Sequence, residues 1–193
     1  MKKLFLCLAA LSIATVASAQ LVLVPNGDFE TPDGAGWVAA DGPATFSYPT
    51  TGGNPGGYGV IDSTTGWGVL VGDFDLASNG LSAGDTVTIS WDMIDLADDA
   101  IVAGLKIESW NGGGFLDNGT GDVLFDPTTS WDTYTFEYTI NAAATFLKFV
   151  PLSVAGGNTG FDNVGVVPEP STFALLGGFA ALGFVLYRRR KQA

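Results

Sequence analysis

The chain has 193 residues, room for one sizeable core with appendages, and carries 20 acids against 8 bases with no histidine and one cysteine. A net charge of −12 repels nucleic acid and anionic lipid and favours cations, neutral sugars or plain solubility. Without histidine, and with its single thiol in the leader described next, the chain lacks the common pairings of base and nucleophile, so a non-catalytic role is expected.

The first element is the leader MKKLFLCLAALSIATVASAQ. Lys2 and Lys3 make a basic start, an apolar run begins at Leu4, and Ala17 and Ala19 are small. That order predicts a secretory signal peptide over residues 1–19, removed by signal peptidase after Ala19. Cys7 would leave with it, so the mature chain is expected to form no disulfide.

Residues 20–166 follow as one domain. Between residues 20 and 167 there are nineteen acids and only two bases, Lys106 and Lys148. Apolar and polar residues alternate from Thr86 to Met93 and from Thr133 to Ile140, the period of a half-buried strand. Further strands are expected at 21–24, 44–48, 57–62, 67–76, 101–110, 145–152 and 161–167, punctuated by Gly, Asn, Asp and Pro. Short strands, glycine-rich turns and no helical periodicity predict an all-β antiparallel sandwich. The acidic stretches 95–99 and 117–122 lack the glycine and spacing of an EF-hand loop and read as solvated turns.

Several residues are candidates for binding. On an extended segment Asp28 and Glu30 would face the same way, and Asp162 would start a last strand lying close to the first. Three converging carboxylates repel one another unless a cation offsets their charge, and Ca²⁺ takes such oxygen ligands. On strand 101–110 the apolar side is Leu105 and Ile107, which puts Trp110 with Lys106 and Glu108 toward water. A flat exposed ring suits the C–H face of a sugar, and Trp110 is the leading contact candidate. Tyr48, Tyr58 and Trp67 flank glycine-rich turns and either line a groove or cap the sandwich edges, whereas Trp91 is expected in the core and Trp37 and Trp131 are expected to pack.

The last element is a tail, residues 167–193. Ser171 to Tyr187 is free of charge and would make about 25 Å of helix, the lower limit for one membrane span. Arg188, Arg189, Arg190 and Lys191 behind it act as a stop-transfer anchor that keeps the C-terminus in the cytoplasm. Pro168 and Pro170 hold Glu169 extended ahead of the span, where a processing enzyme can grip it.

Val167-Pro168-Glu169-Pro170, a short apolar helix and a terminal arginine cluster together resemble the PEP-CTERM sorting signal. That resemblance implies recognition by exosortase, an integral-membrane cysteine transpeptidase of Gram-negative bacteria that make extracellular polysaccharide. It implies an inner-membrane-anchored precursor and a mature form at the cell surface or in the extracellular matrix.

The domain carries a second resemblance. Asn26-Gly27-Asp28-Phe29-Glu30, Gly36-Trp37, the strand from Gly84 to Trp91, the strand from Thr129 to Phe136 and the closing Gly160-Phe161-Asp162-Asn163-Val164 succeed one another as in carbohydrate-binding modules of families 4, 9 and 22. Those are galactose-binding-like jelly rolls. By position, the resemblance implies a structural calcium on Glu30 and Asp162, with Asp28 as a third ligand. The expected role is non-catalytic binding of extracellular polysaccharide; the alternative is a structural matrix or surface protein with no ligand of its own.

Overall fold

The computed structural model describes residues 20–98, 102–119, 121–154 and 156–168. The expected leader, the membrane span at 171–187, the basic cluster Arg188 to Lys191, and Glu169 and Pro170 lie outside the described residues. Among the described residues no helix is long and apolar enough to cross a membrane.

Residues 21–168 form one compact unit of two packed antiparallel sheets. The strands are β1 (Val22–Leu23), β2 (Trp37–Asp41), β3 (Thr45–Ser47), β4 (Gly59–Asp62), β5 (Gly68–Asp75), β6 (Thr86–Asp95), β7 (Ala103–Asn111), β8 (Gly114–Asp117), β9 (Asp122–Phe125), β10 (Asp132–Thr139), β11 (Phe146–Ser153) and β12 (Asn158–Pro168). The first sheet runs β10-β6-β12-β4-β3 with β1 also paired to β12; the second runs β2-β5-β11-β7-β8 with β9 also paired to β7. The fold is the expected jelly-roll β-sandwich.

Alternation decides which side chains meet. From β6, Val87, Ile89, Trp91 and Met93 point inward and are buried, as are Leu70 and Phe74 of β5, Leu105 and Ile107 of β7, and Leu147 and Phe149 of β11. Trp91 sits at the centre, stacked on Tyr134 at 5.9 Å and edge-on to Phe136 at 5.8 Å. Across the layer Phe74 meets Phe149 at 5.6 Å. Such rings supply most of the apolar area removed from water, the main stabilising term of a domain with no disulfide.

Two stretches expected to be solvated turns are partly strand. Asp117 ends β8 and Asp122 starts β9. Asp95 is 4% exposed and ends β6, its Oδ1 accepting the N–H groups of Ala97 and Asp98. A short acidic residue at a strand end is buried when it satisfies the backbone of the turn behind it.

Candidate functional site

Two places in the sandwich gather chemistry. The first is a cluster of acids on the outer side of the β12-containing sheet. Asp162 lies within β12 rather than at its start, directly opposite Asp92 of β6. The register of β12 shifts between Asp162 and Gly165, and Asn163 there takes a φ of 50°. This bulge turns the Asn163 backbone N–H onto Asp162 Oδ1 at 2.7 Å and its side-chain amide onto Asp92 Oδ2 at 2.7 Å.

The loop between β3 and β4 lies over the pair as a strap. The Asn54 backbone N–H donates to Asp162 Oδ2 at 2.6 Å and its side-chain amide to Asp92 Oδ2 at 3.1 Å. Thr133 Oγ1 donates to Asp92 Oδ1 at 2.6 Å, and the Trp131 indole N–H pins the strap through the Gly52 carbonyl at 2.9 Å. Gly53 and Gly56 of the strap have no room for a side chain. A Cβ on Gly53 would fall 2.8 Å from Asp162 Oδ2, and one on Gly56 would fall 1.7 Å from Glu30 Oε1.

Burial pushes the Asp162 carboxyl up to about 7, opposed by the N–H groups of Asn54 and Asn163 and reinforced by the charges of Asp92 and Glu30. A carboxyl that stays protonated near neutrality is what a general acid needs. Here, however, Asp162 is 0% exposed and both its oxygens accept backbone N–H groups, so the pair is sealed from any substrate.

Of the three expected calcium ligands, the structure brings Glu30 and Asp162 to the same strap. Glu30 Oε1 accepts the Gly57 N–H at 2.9 Å, and its charge acts on Asp162. Asp28 does not share their arrangement. The chain turns at Asn26 and Phe29, which take φ of 56° and 49°, so residues 28–30 are not the extended segment that parity assumed. Asp28 Oδ1 instead accepts the Glu30 N–H at 3.4 Å. Among the described residues no three acidic side chains form a metal-holding group. Glu30 and Asp162 are the two carboxylates of the expected set that meet the strap, and both accept backbone N–H groups there.

The second place is the outer face of the other sheet. Val150 and Leu152 have the parity of this face and are buried, at 2% and 8% exposed. A depression of about 210 Å³ lies on the same face, lined by Gly36, Val38, Ala40, Val71, Asp73 and Lys148. Trp110 is on this face beside Phe146, its neighbour on β11, with ring centroids 6.2 Å apart. Phe115 of β8 stands edge-on to Trp110 at 5.6 Å and is 50% exposed.

The two bases of the acidic body both lie here. Lys106 pairs with Glu108 at 2.8 Å, and Glu108 accepts the Trp110 indole N–H at 3.0 Å. The Lys148 ammonium sits 4.4 Å above the Trp110 ring and 3.9 Å from Asp73. Each contact contributes up to about 1 kcal/mol at such partly exposed positions, little enough for a ligand to displace the lysine from the ring.

Trp67, 47% exposed, precedes β5 and has the parity of Val69 and Val71, so it marks the opposite end of this sheet from Trp110. Trp110 is in register with Asp75 through Phe146, so the distance along the strand is about 26 Å, at ~3.3 Å per residue. Tyr48 and Tyr58 lie elsewhere. Tyr48 stacks on Phe29 at 6.3 Å with its hydroxyl pushed up by burial, and Tyr58 packs edge-on to Trp131 at 5.5 Å. Phe115, Phe146 and Lys148 were not anticipated; the alternation of β11 was the signal that Phe146 and Lys148 share a face.

Comparison with known proteins bears on both ends of the description. Residues 166–191 match the PEP-CTERM protein-sorting motif. The chain ends in a PEP-CTERM motif. Such a motif indicates an exported, exosortase-processed protein. Val167 and Pro168 of the motif are the last two residues of β12, and Glu169 and Pro170 lie beyond the described residues.

No curated protein matches this chain in sequence. Its sandwich is similar to the C-terminal family 22 carbohydrate-binding module of Clostridium thermocellum Xyn10B, with a TM-score of 0.57 and 15% identity over 82% of this chain and 98% of that one. It is similar to a CBM4 structure, with a TM-score of 0.53 and 20% identity over 76% and 99%. A third likeness is to the enzymatically active domain of bacteriophage CBA120 tailspike protein 4, with a TM-score of 0.61 and 12% identity over 75% of this chain; it spans only 21% of the tailspike chain. At these identities the likeness is one of fold.

Proposed function

We propose that this is an exported, exosortase-sorted surface or matrix protein whose sandwich binds extracellular polysaccharide without chemistry on it. The observation that carries the reading is the hollow outer face of the β2-to-β8 sheet. It joins a depression lined by Val38, Ala40 and Val71, an aromatic end at Trp110, Phe115 and Phe146, and Lys148, which touches both and which a hydroxyl-rich ligand can displace. The family 22 module of Xyn10B, whose ligand binding involves residues of a cleft, supports the assignment to a hollow face. The Asp92–Asp162 pair offers no route to hydrolysis, because it is sealed under the strap.

Glu30 and Asp162 hold a structural Ca²⁺ in this reading, and Asp28 takes no direct part. When bound, the cation offsets the buried carboxylate charge and ties the strap to β12. Exosortase and signal peptidase are the processing partners, an inner-membrane precursor of a Gram-negative cell is the starting form, and a biofilm matrix is a fitting destination.

Affinity electrophoresis through gels containing soluble polysaccharides tests the reading. Retardation in at least one glycan, lost in Trp110→Ala and Phe115→Ala, supports it. Unchanged mobility in every glycan favours a structural matrix role with no ligand, and release of reducing sugar would revive an enzyme.

A further inference from the structure

Four asparagines precede a glycine: Asn26, Asn79, Asn111 and Asn118. Glycine has no Cβ to shield its backbone nitrogen, so at each pair that nitrogen can reach the carbonyl carbon of the asparagine side chain. Attack requires an N–H that nothing else holds. At three pairs it is held. The Gly27 N–H goes to the Val24 carbonyl at 2.6 Å, and Asn26 is fixed through both side-chain atoms on the Thr31 backbone. The Gly80 N–H goes to the Ala77 carbonyl at 3.2 Å, with the Asn79 amide on the Asp75 carbonyl at 2.7 Å. The Gly119 N–H goes to Asp117 Oδ1 at 3.1 Å.

Asn111 differs. It ends β7 and pairs with Gly114, the first residue of β8, so Gly112 and Gly113 alone make the turn. Among the described residues the Gly112 N–H has no acceptor. The Gly113 N–H donates to Asn111 Oδ1 at 2.8 Å, the atom on which negative charge develops when the side-chain carbon is attacked. One glycine thus offers the nucleophile and the next the oxyanion donor.

We propose that Asn111 is a self-modifying site, converted in the folded chain to aspartate and isoaspartate through a cyclic imide with Gly112. The Gly112 nitrogen bonds to Asn111 Cγ, and the side-chain nitrogen leaves as ammonia with the Gly112 proton. Water then breaks one of the two acyl bonds to that nitrogen, its hydroxyl going to the acyl carbon and its remaining proton to the nitrogen. Breaking the Cγ bond gives aspartate; breaking the main-chain bond gives isoaspartate. Nothing is oxidised or reduced. Either product sets a new carboxylate next to Trp110, and isoaspartate lengthens the turn that holds Phe115 against it.

The test incubates the purified chain in mildly alkaline buffer, folded and in denaturant, and follows all four sites by peptide mapping. In the folded chain the acid and its isomer should accumulate at residue 111 ahead of residues 26, 79 and 118. In denaturant, where every pair is free, the four should converge. Another site reacting as fast in the folded chain, or the same ranking in both states, overturns the proposal. Gly112→Ala gives a second readout, because a Cβ there meets nothing within 4 Å and the fold accepts it. It should slow the reaction at residue 111 several-fold and leave residue 118 unchanged. An unchanged rate at residue 111 also overturns the proposal.

Discussion

Asp162 stands directly opposite Asp92 across the β12–β6 pair, and the two buried carboxylates share Asn54 and Asn163 as donors. Two acids in cross-strand register repel, so a sheet that keeps them needs either a proton or a cation between them and Glu30. Stability therefore depends on what neutralises this corner.

The first expected outcome concerns the cation. Thermal unfolding followed in Ca²⁺ and again in chelator should give a higher midpoint with Ca²⁺, by several degrees for a domain that gains about 2 to 3 kcal/mol from saturating binding. Glu30→Gln and Asp162→Asn should abolish the difference, and Asp28→Asn should keep it. Equal midpoints in the wild-type protein would remove calcium from the account.

The second concerns pH in chelator. The Asp162 carboxyl is raised from 3.8 to about 7, so between those values the folded chain binds more protons than the unfolded one. Stability from this group is present below the lower value and is lost as pH rises through the upper, a change on the order of a few kcal/mol. Denaturant midpoints should fall over that window. Asp162→Asn should flatten the slope, and a midpoint that climbs over the same window would contradict the burial of this group.

The third concerns the strap. Gly57 is buried, and a Cβ there would lie 2.4 Å from the Phe29 carbonyl oxygen, with no flexible side chain to give way. Gly57→Ala should displace the strap, weaken Ca²⁺ binding and lower stability by about 1 to 3 kcal/mol. By comparison Phe161→Ala, at a fully buried core position, should cost about 3 to 5 kcal/mol and Trp67→Ala less than about 0.5. Chemical denaturation of the three variants checks the order.

Much of this architecture was legible in the residues. Alternation at Thr86 to Met93 and Thr133 to Ile140 marks β6 and β10 to within a residue or two, because both strands bury one side on the Trp91 cluster. The outward parity of Trp110 with Lys106 and Glu108 also holds. What escaped was long-range. Asp92 alternates as a solvent-facing residue, and only the register of β12 and the strap from the β3–β4 loop bury it. The β8 and β9 strands are four residues each, too short for a period to emerge. Parity failed at residues 28–30 because positive φ values at Asn26 and Phe29 lie where an extended chain was assumed.

The hollow face is tested most directly by NMR with an oligosaccharide of whichever polysaccharide retards the protein. The five tryptophan indole N–H signals report separate places in the fold. The account predicts that Trp110 shifts on titration, with Trp67 following if the ligand runs the length of the sheet, while Trp37, Trp91 and Trp131 stay fixed. Shifts confined to Trp131, which lies on the strap of the opposite sheet, with Trp110 unmoved, would contradict it.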